Sequence, residues 1–420
     1  MKKRIAIIGA GVTGLSTAQL LTEANFEVVL FEKNEIPGGL ISCSRINGVL
    51  FHKVGGHVFN SRIQRVLDWY WSKFDKSDFS QIKRVAKIFI TDKILGYPIE
   101  NYIYMLDEKT IGNIVNELLL VYKADDNTSA ENFDDFLKKH FGDTLYSIYF
   151  KPYNDKIWKT DLRDLPLEWL EGKLPMPNIP EILTSNIVCA EESTMVHSTF
   201  WYPKNGGSQF LANTLAKNLD IRFNQTISSI KRDNKQWFVN EETFDHVVYT
   251  GDVRMLKDIL SDEIIPIEIK NQLSALKSNG TSNVLCEIDK NDFSWMYFPE
   301  SKYKIHRIIY TGNFAETNNG NVSRNTCTIE FSGLLSEEDL TAEIVKLPGS
   351  PKVLAYNYEP NSYIYHTHQT PVILSKLKSC LDLKSFYLVG RFAEWEYYNM
   401  DKAIEAGMLL TEKLIKKDLV

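Results

Sequence analysis

Arg4-Ile5-Ala6-Ile7-Ile8-Gly9-Ala10-Gly11-Val12-Thr13-Gly14 decides the fold. The apolar run reads as a buried strand, the glycines as a tight turn, and Val12, Leu15 and Ala18 as the inner face of a helix. Glu27-Val28-Val29-Leu30-Phe31 supplies a second apolar strand, so the N-terminus is a βαβ unit with Glu32 at its end. The spacing Gly9-x-Gly11-x-x-Gly14 allows a sharp turn, close approach of backbone to a pyrophosphate, and close packing of helix on strand. The helix N-terminus offers free N–H groups to the anion. Glu32 falls near the ~20-residue offset at which a carboxylate accepts from a ribose hydroxyl.

Outward from this unit, Ile111, Ile114, Val115, Leu118, Leu119 and Tyr122 recur at helical spacing. A second helix is expected at about 128–141, opened by the capping-box pattern Thr128-Ser129-Ala130-Glu131 and ended by Gly142. Beyond Gly206-Gly207 the pattern turns to strands: Trp237-Phe238-Val239, His246-Val247-Val248-Tyr249, and the runs at 284–288, 295–298, 305–310, 327–331 and 386–389. A last helix is expected over 401–414. The fold class predicted is α/β: a Rossmann-type dinucleotide domain (1–69, 196–253 and 381–420), a mainly helical insertion (70–195), and a mostly antiparallel substrate-domain sheet (254–380).

A chain of 420 residues, 44% hydrophobic and 24% charged, exceeds one compact core. Its net charge of -6 gives no general attraction to nucleic acid or anionic membrane, so a phosphate-bearing partner needs a local cationic site. Five cysteines without a Cys-x-x-Cys pair argue against a zinc site or a disulfide framework, and no metal is expected. No apolar run is long enough to span a bilayer, and Met1-Lys2-Lys3-Arg4 leads into a strand rather than a signal peptide. The expectation is a cytoplasmic protein without membrane insertion.

Asn34-Glu35-Ile36-Pro37-Gly38-Gly39-Leu40, followed by Arg45, resembles the FAD-binding signature of the large family of amine oxidases, protoporphyrinogen oxidases and UDP-galactopyranose mutases. The resemblance implies FAD held by Gly9, Gly11, Gly14, Glu32, Gly38, Gly39 and Arg45, with Ile227 against the adenine and Gly390-Arg391 at the flavin end. Further ordered pieces are similar to the UDP-galactopyranose mutases, particularly their eukaryotic-type branch. They are Gly55-Gly56-His57-Val58-Phe59, Lys151-Pro152-Tyr153-Asn154-Asp155-Lys156-Ile157-Trp158, Phe200-Trp201-Tyr202-Pro203-Lys204-Asn205-Gly206-Gly207, Trp295-Met296-Tyr297-Phe298-Pro299-Glu300 with Arg307, and Gly390-Arg391-Phe392-Ala393-Glu394-Trp395-Glu396-Tyr397.

That likeness implies a mutase interconverting hexopyranose and hexofuranose on a sugar nucleotide, serving cell-surface polysaccharide synthesis. N5 of the reduced flavin would attack the anomeric carbon, a covalent catalysis without net redox change. It implies a reductant such as NAD(P)H or a reductase, and allows a homo-oligomer. His57 would lie beside the flavin, Arg307 would clamp the diphosphate, and Arg391 and Tyr397 would stand at the flavin and phosphate end. Trp158, Tyr202 and Tyr365 would join the substrate site. Lys173 stands where the family has a second phosphate arginine, exchanging a planar fork for a point charge. Plain structural readings stay open: His57 bonded to backbone, Arg307 on a strand facing solvent, Tyr397 in domain packing. Two rival functions share the N-terminal fingerprint: an amine- or protoporphyrinogen-type oxidase or desaturase, and a non-catalytic FAD-binding partner. Neither an apolar nor an aminic substrate requires Arg307 and Lys173.

Overall fold

The computed structural model describes residues 2–124, 130–167, 178–190 and 199–418. Its first layer is a five-stranded parallel sheet that runs, in spatial order, Phe386–Leu388, His246–Tyr249, Arg4–Ile8, Glu27–Phe31 and Asp220–Arg222. Alternate residues of its strands enter two different cores. Ala6, Ile8, Val29, Phe31, Val247 and Tyr249 pack on one face, and Ile5, Ile7, Leu30, Val248 and Tyr387 on the other. A sheet covered on both faces needs continuous apolar strands, which is the pattern read at 5–8. Ile5 and Ile7 are fully buried, worth about 2 kcal/mol each.

The second layer is a seven-stranded sheet in the order Lys352–Tyr365, Lys277–Ile288, Asn325–Ser332, Ile305–Ile309, Trp295–Tyr297, Ala86–Ile90, Lys93–Gly96. All neighbours are antiparallel except Trp295–Tyr297 with Ala86–Ile90. Strands were anticipated at all the runs read as such, and the last helix, Met400–Asp418, extends the expected one.

The mainly helical segment 70–195 also carries strands: Ala86–Ile90 and Lys93–Gly96 join the large sheet, and Phe79–Lys83 pairs with Thr199–Pro203. Gly142 does not end the helix Phe133–Leu145 but kinks it at φ 77°, and the chain winds on through Tyr146–Phe150 into Lys151–Trp158. That helix is capped by Asn132, whose side chain accepts from the Asp135 N–H; Thr128 and Ser129 lie outside the described residues. Residues 254–276 and 370–382, placed with the substrate sheet by sequence, bury Leu256, Ile259, Leu273, Ile373 and Leu377 in the core beneath the parallel sheet.

Candidate active site

The dinucleotide groove forms at the carboxyl ends of the parallel strands, where α/β sheets bind ligands. A Cβ built on Gly14 would lie 1.9 Å from the Gly9 carbonyl oxygen, so strand and helix touch there and only glycine fits. A Cβ on Gly11 would meet no atom within 4 Å: the space beside this turn is open. Gly38 N donates to Ala10 O at 2.8 Å and Gly38 bridges to Gly11, which lays the Gly38-Gly39 turn along the first one. The helix Val12–Glu23 starts with no side-chain cap and no acidic residue in its first turn, leaving its N–H groups for an anion. Glu32 is buried, with Oε2 accepting from Ala10 N and Oε1 from Asn34 N. These features fit the pyrophosphate and ribose of a dinucleotide. Ile227 is partly buried against the core under this sheet. Arg45 does not join the groove; its exposed guanidinium bonds Gly48 O and Thr317 O across a hairpin end.

A second site lies in the large sheet. Strand register sets Tyr297 opposite Arg307, Arg307 opposite Glu330, Glu330 opposite Asn283, and Asn283 opposite Asn357. These five residues form one polar row across the sheet, flanked by Val284, Ile308, Ile329 and Phe331. Arg307 Nε and Nη2 lie 2.7 and 2.6 Å from Glu330 Oε2. Tyr363 donates its hydroxyl to Oε1 at 3.0 Å. A register shift between Ile305 and Arg307 lets the adjacent His306 approach the same oxygen at 3.6 Å. Burial acts to raise the Glu330 carboxyl, yet Arg307 and His306 hold it far below the usual carboxylate range. Arg307 Nη1 makes no hydrogen bond among the described residues.

The two sites meet over residues 53–57. Gly55 N donates to Asn283 Oδ1, and Asn357 Nδ2 to Lys53 O, docking this loop on the polar row. His57 thus stands among Arg307, Glu330 and Arg391, and burial, with the neighbouring cations, lowers it to about 3. It is a neutral imidazole at pH 7, and its Nδ1 has no partner. Gly390 packs on Thr13 of the first helix, which places Arg391 between groove and row. The Arg391 guanidinium bonds Ser362 O and lies 4.1 Å from the Tyr397 ring centre. Tyr397 stacks on Tyr363 at 6.0 Å and meets the edge of Trp158. A wall of tyrosines leads away from Arg307: Tyr297 contacts Tyr97 at 4.9 Å and Tyr153 at 5.7 Å, and Tyr153 stacks on Tyr149. Glu100 is buried near Tyr97 and Tyr149, with no ion pair among the described residues.

The structure therefore brings His57, Arg307, Arg391 and Tyr397 together. Trp158 enters as packing, its Nε1 bonded to Asn154 Oδ1. Two expected substrate residues fall elsewhere. Tyr202 is fully buried, its hydroxyl held by His52 Nε2 and Asn318 Nδ2. Tyr365 is buried in the helical core, whereas Tyr363, two residues earlier, reaches Glu330. Lys173 lies outside the described residues. Sequence reading missed Glu330, His306 and Asn283. The signal for Glu330 was present: a lone carboxylate inside the apolar run Cys327-Thr328-Ile329-Glu330-Phe331 must be paired.

Comparison with known proteins agrees with this geometry. The NAD(P)-binding Rossmann-like domain family matches residues 7–73. The UDP-galactopyranose mutase of Mycoplasma genitalium is 24% identical over 98% of this chain and 94% of its own length. The dTDP-fucopyranose mutase of Escherichia coli is 22% identical over 59% of this chain and 63% of its own. A crystal structure of reduced UDP-galactopyranose mutase superposes with a TM-score of 0.89, at 21% identity, over 99% of this chain and 94% of that one. The fold is of the Rossmann dinucleotide-binding type. In sequence and in fold the chain is, more particularly, similar to UDP-galactopyranose mutases. Among the described residues no helix is long and apolar enough to cross a membrane, and no cluster of His, Cys, Asp and Glu could hold a metal.

Proposed function

We propose that this enzyme interconverts the pyranose and furanose forms of a hexose carried on a nucleoside diphosphate, with FAD in the Gly9–Gly14 groove. The observation that carries the reading is the half-buried Arg307, held by the buried Glu330, which also accepts from Tyr363. An amine substrate has no use for such a cation, whereas a diphosphate leaving group develops charge that a planar guanidinium meets. The printed names of the relatives, mutases of UDP-galactopyranose and dTDP-fucopyranose, support the substrate class.

When bound, reduced FAD supplies an electron-rich nitrogen to the anomeric carbon, covalent catalysis without consumption of electrons. The chain's own residues do the rest. Glu330 Oε2 accepts from the Nε–Nη2 edge of Arg307 and leaves Nη1 toward ligand. Neutral His57 offers a hydrogen bond at Nδ1 without adding a charge that would compete for the diphosphate. Arg391 and Tyr397 hold the junction between groove and row, and the tyrosine wall from Tyr297 excludes water from one side of the site.

The test is incubation with UDP- and dTDP-hexoses under anaerobic dithionite and, in parallel, in air, followed by chromatography and mass measurement. A product of unchanged mass and altered retention, formed only in the reduced samples, is expected. Peroxide formed in proportion to an oxidised amine or porphyrinogen, with no sugar nucleotide isomerised, would replace the mutase reading with the oxidase one.

A further inference from the structure

Lys156 belongs to the Lys151–Trp158 helix, but it points away from the aromatic residues that this helix gives to the site. Its Nζ lies 2.6 Å from Phe298 O, 2.6 Å from Glu300 O and 3.2 Å from Ile305 O. An ammonium has three N–H donors and no acceptor. Here each donor meets one main-chain carbonyl of the loop that joins Trp295–Tyr297 to Ile305–Ile309. The pair closing that hairpin at the site is Tyr297 with Arg307. The same helix sends Tyr153 against Tyr297 and Trp158 against Tyr363 and Tyr397.

We propose that Lys156 is a positioning residue: its ammonium fastens the 298–305 loop to the helix, and so fixes the height of Arg307 and Tyr297 against Glu330 without touching substrate. The proposal rests on the functional reading only for the identity of the ligand that Arg307 meets.

Burial lowers Lys156 to about 7, with Glu300 and Glu343 acting in the opposite direction. Its helix adds Lys151, paired with Asp155, and Lys159. The loop adds Lys302, bridged to Asp92 and Glu300, and Lys304, bridged to Asp339. The helix Glu337–Ile344 adds Asp339 and Glu343, and the strand beyond the loop adds His306 and Arg307. The folded-state value lies below the ordinary 10.5, so the unfolded chain binds more protons between the two, and stability rises with pH across that window. The grip on the loop is therefore read by substitution at one pH rather than by titration.

The test is hydrogen exchange followed by mass spectrometry on the full-length, flavin-loaded protein at pH 6, referenced to residues 277–288. Lys156→Met should exchange over 298–306 about tenfold faster than wild type, the scale of one charge-assisted hydrogen bond, and Lys156→Arg, which keeps the charge, should stay protected. UDP titrated by tryptophan fluorescence is the second arm. Lys156→Met should bind it about tenfold more weakly than wild type, and Lys156→Arg should restore the affinity. Wild-type protection over 298–306 in Lys156→Met, or wild-type UDP affinity in that variant, overturns the proposal. If the wild type binds no UDP, the sugar-nucleotide reading fails, while the exchange arm still decides the role of Lys156.

Discussion

The glycine groove and the polar row are assembled by opposite means. The groove uses backbone: two glycine turns from one end of the chain, a free helix N-terminus, and Glu32 on main-chain N–H groups. The row uses side chains from separate strands, each placed by register and by a neighbour's charge. A backbone site fails when a side chain is added to it. A register-built side-chain site fails when one partner of a buried pair is removed. Each predicts its own kind of mutant.

The largest effect is expected in the groove. Gly11→Val adds bulk to open space, so the fold should survive while the pyrophosphate is displaced. Flavin affinity should fall by on the order of 100-fold or more, about 3 kcal/mol, read from the flavin absorbance of purified protein and its release on denaturation. Gly14→Val, whose Cβ would collide with the Gly9 carbonyl, should fail to give folded protein at all. A Gly11→Val variant as yellow as wild type would break the distinction between the two glycines.

In the row, Glu330→Gln leaves the half-buried Arg307 without its counter-ion, a loss of about 2–3 kcal/mol once partial exposure is allowed for. Denaturant unfolding at pH 7 should show that loss. The pH dependence has a definite sign. The folded carboxyl lies below its ordinary 4.5, so its stabilisation is complete above that value and is lost as pH falls below it. Glu330→Gln should therefore flatten the acid limb of the stability curve. An acid limb unchanged by the substitution would mean that the Arg307–Glu330 pair contributes nothing net.

This contrast also explains what could be read in advance. Gly9–Gly14, Glu32 and Gly38-Gly39 lie close in sequence, and their spacing alone implies their geometry. Arg307 and Arg391 come from resemblance, and the pairing of Arg307 with Glu330 is not legible, because strand register over long separations is invisible in a single sequence. The edge strand Lys352–Tyr365 is hidden in the sequence: Pro360, Asn357 and Asn361 disguise it, and an edge position tolerates proline where an inner strand does not. Without that strand, the facing of Tyr363 and Tyr365 is not legible.

A smaller effect is expected at Arg307 itself. Arg307→Ala should weaken UDP binding by about 2 kcal/mol while leaving flavin in place, since one charge-assisted contact is lost. Calorimetric titration of the flavin-loaded protein checks it. Unchanged affinity would return Arg307 to a purely structural role.

The smallest expected effect comes from a second buried glutamate in the opposite circumstance. Glu330 has a guanidinium beside it, whereas Glu100 sits under the tyrosine wall with no cation bonded to it among the described residues, and burial pushes its carboxyl up to about 7. The folded state thus holds a proton that the unfolded chain releases near 4.5, so stability falls as pH rises between those values and levels off above them. Glu100→Gln keeps the shape and removes the titration. It should stabilise the protein at pH 8 and leave it nearly unchanged at pH 4. Parallel urea unfolding of both proteins across that range measures the difference. Equal stabilities at pH 8 would show that Glu100 is ionised at no cost, and that water or a cation reaches the tyrosine wall.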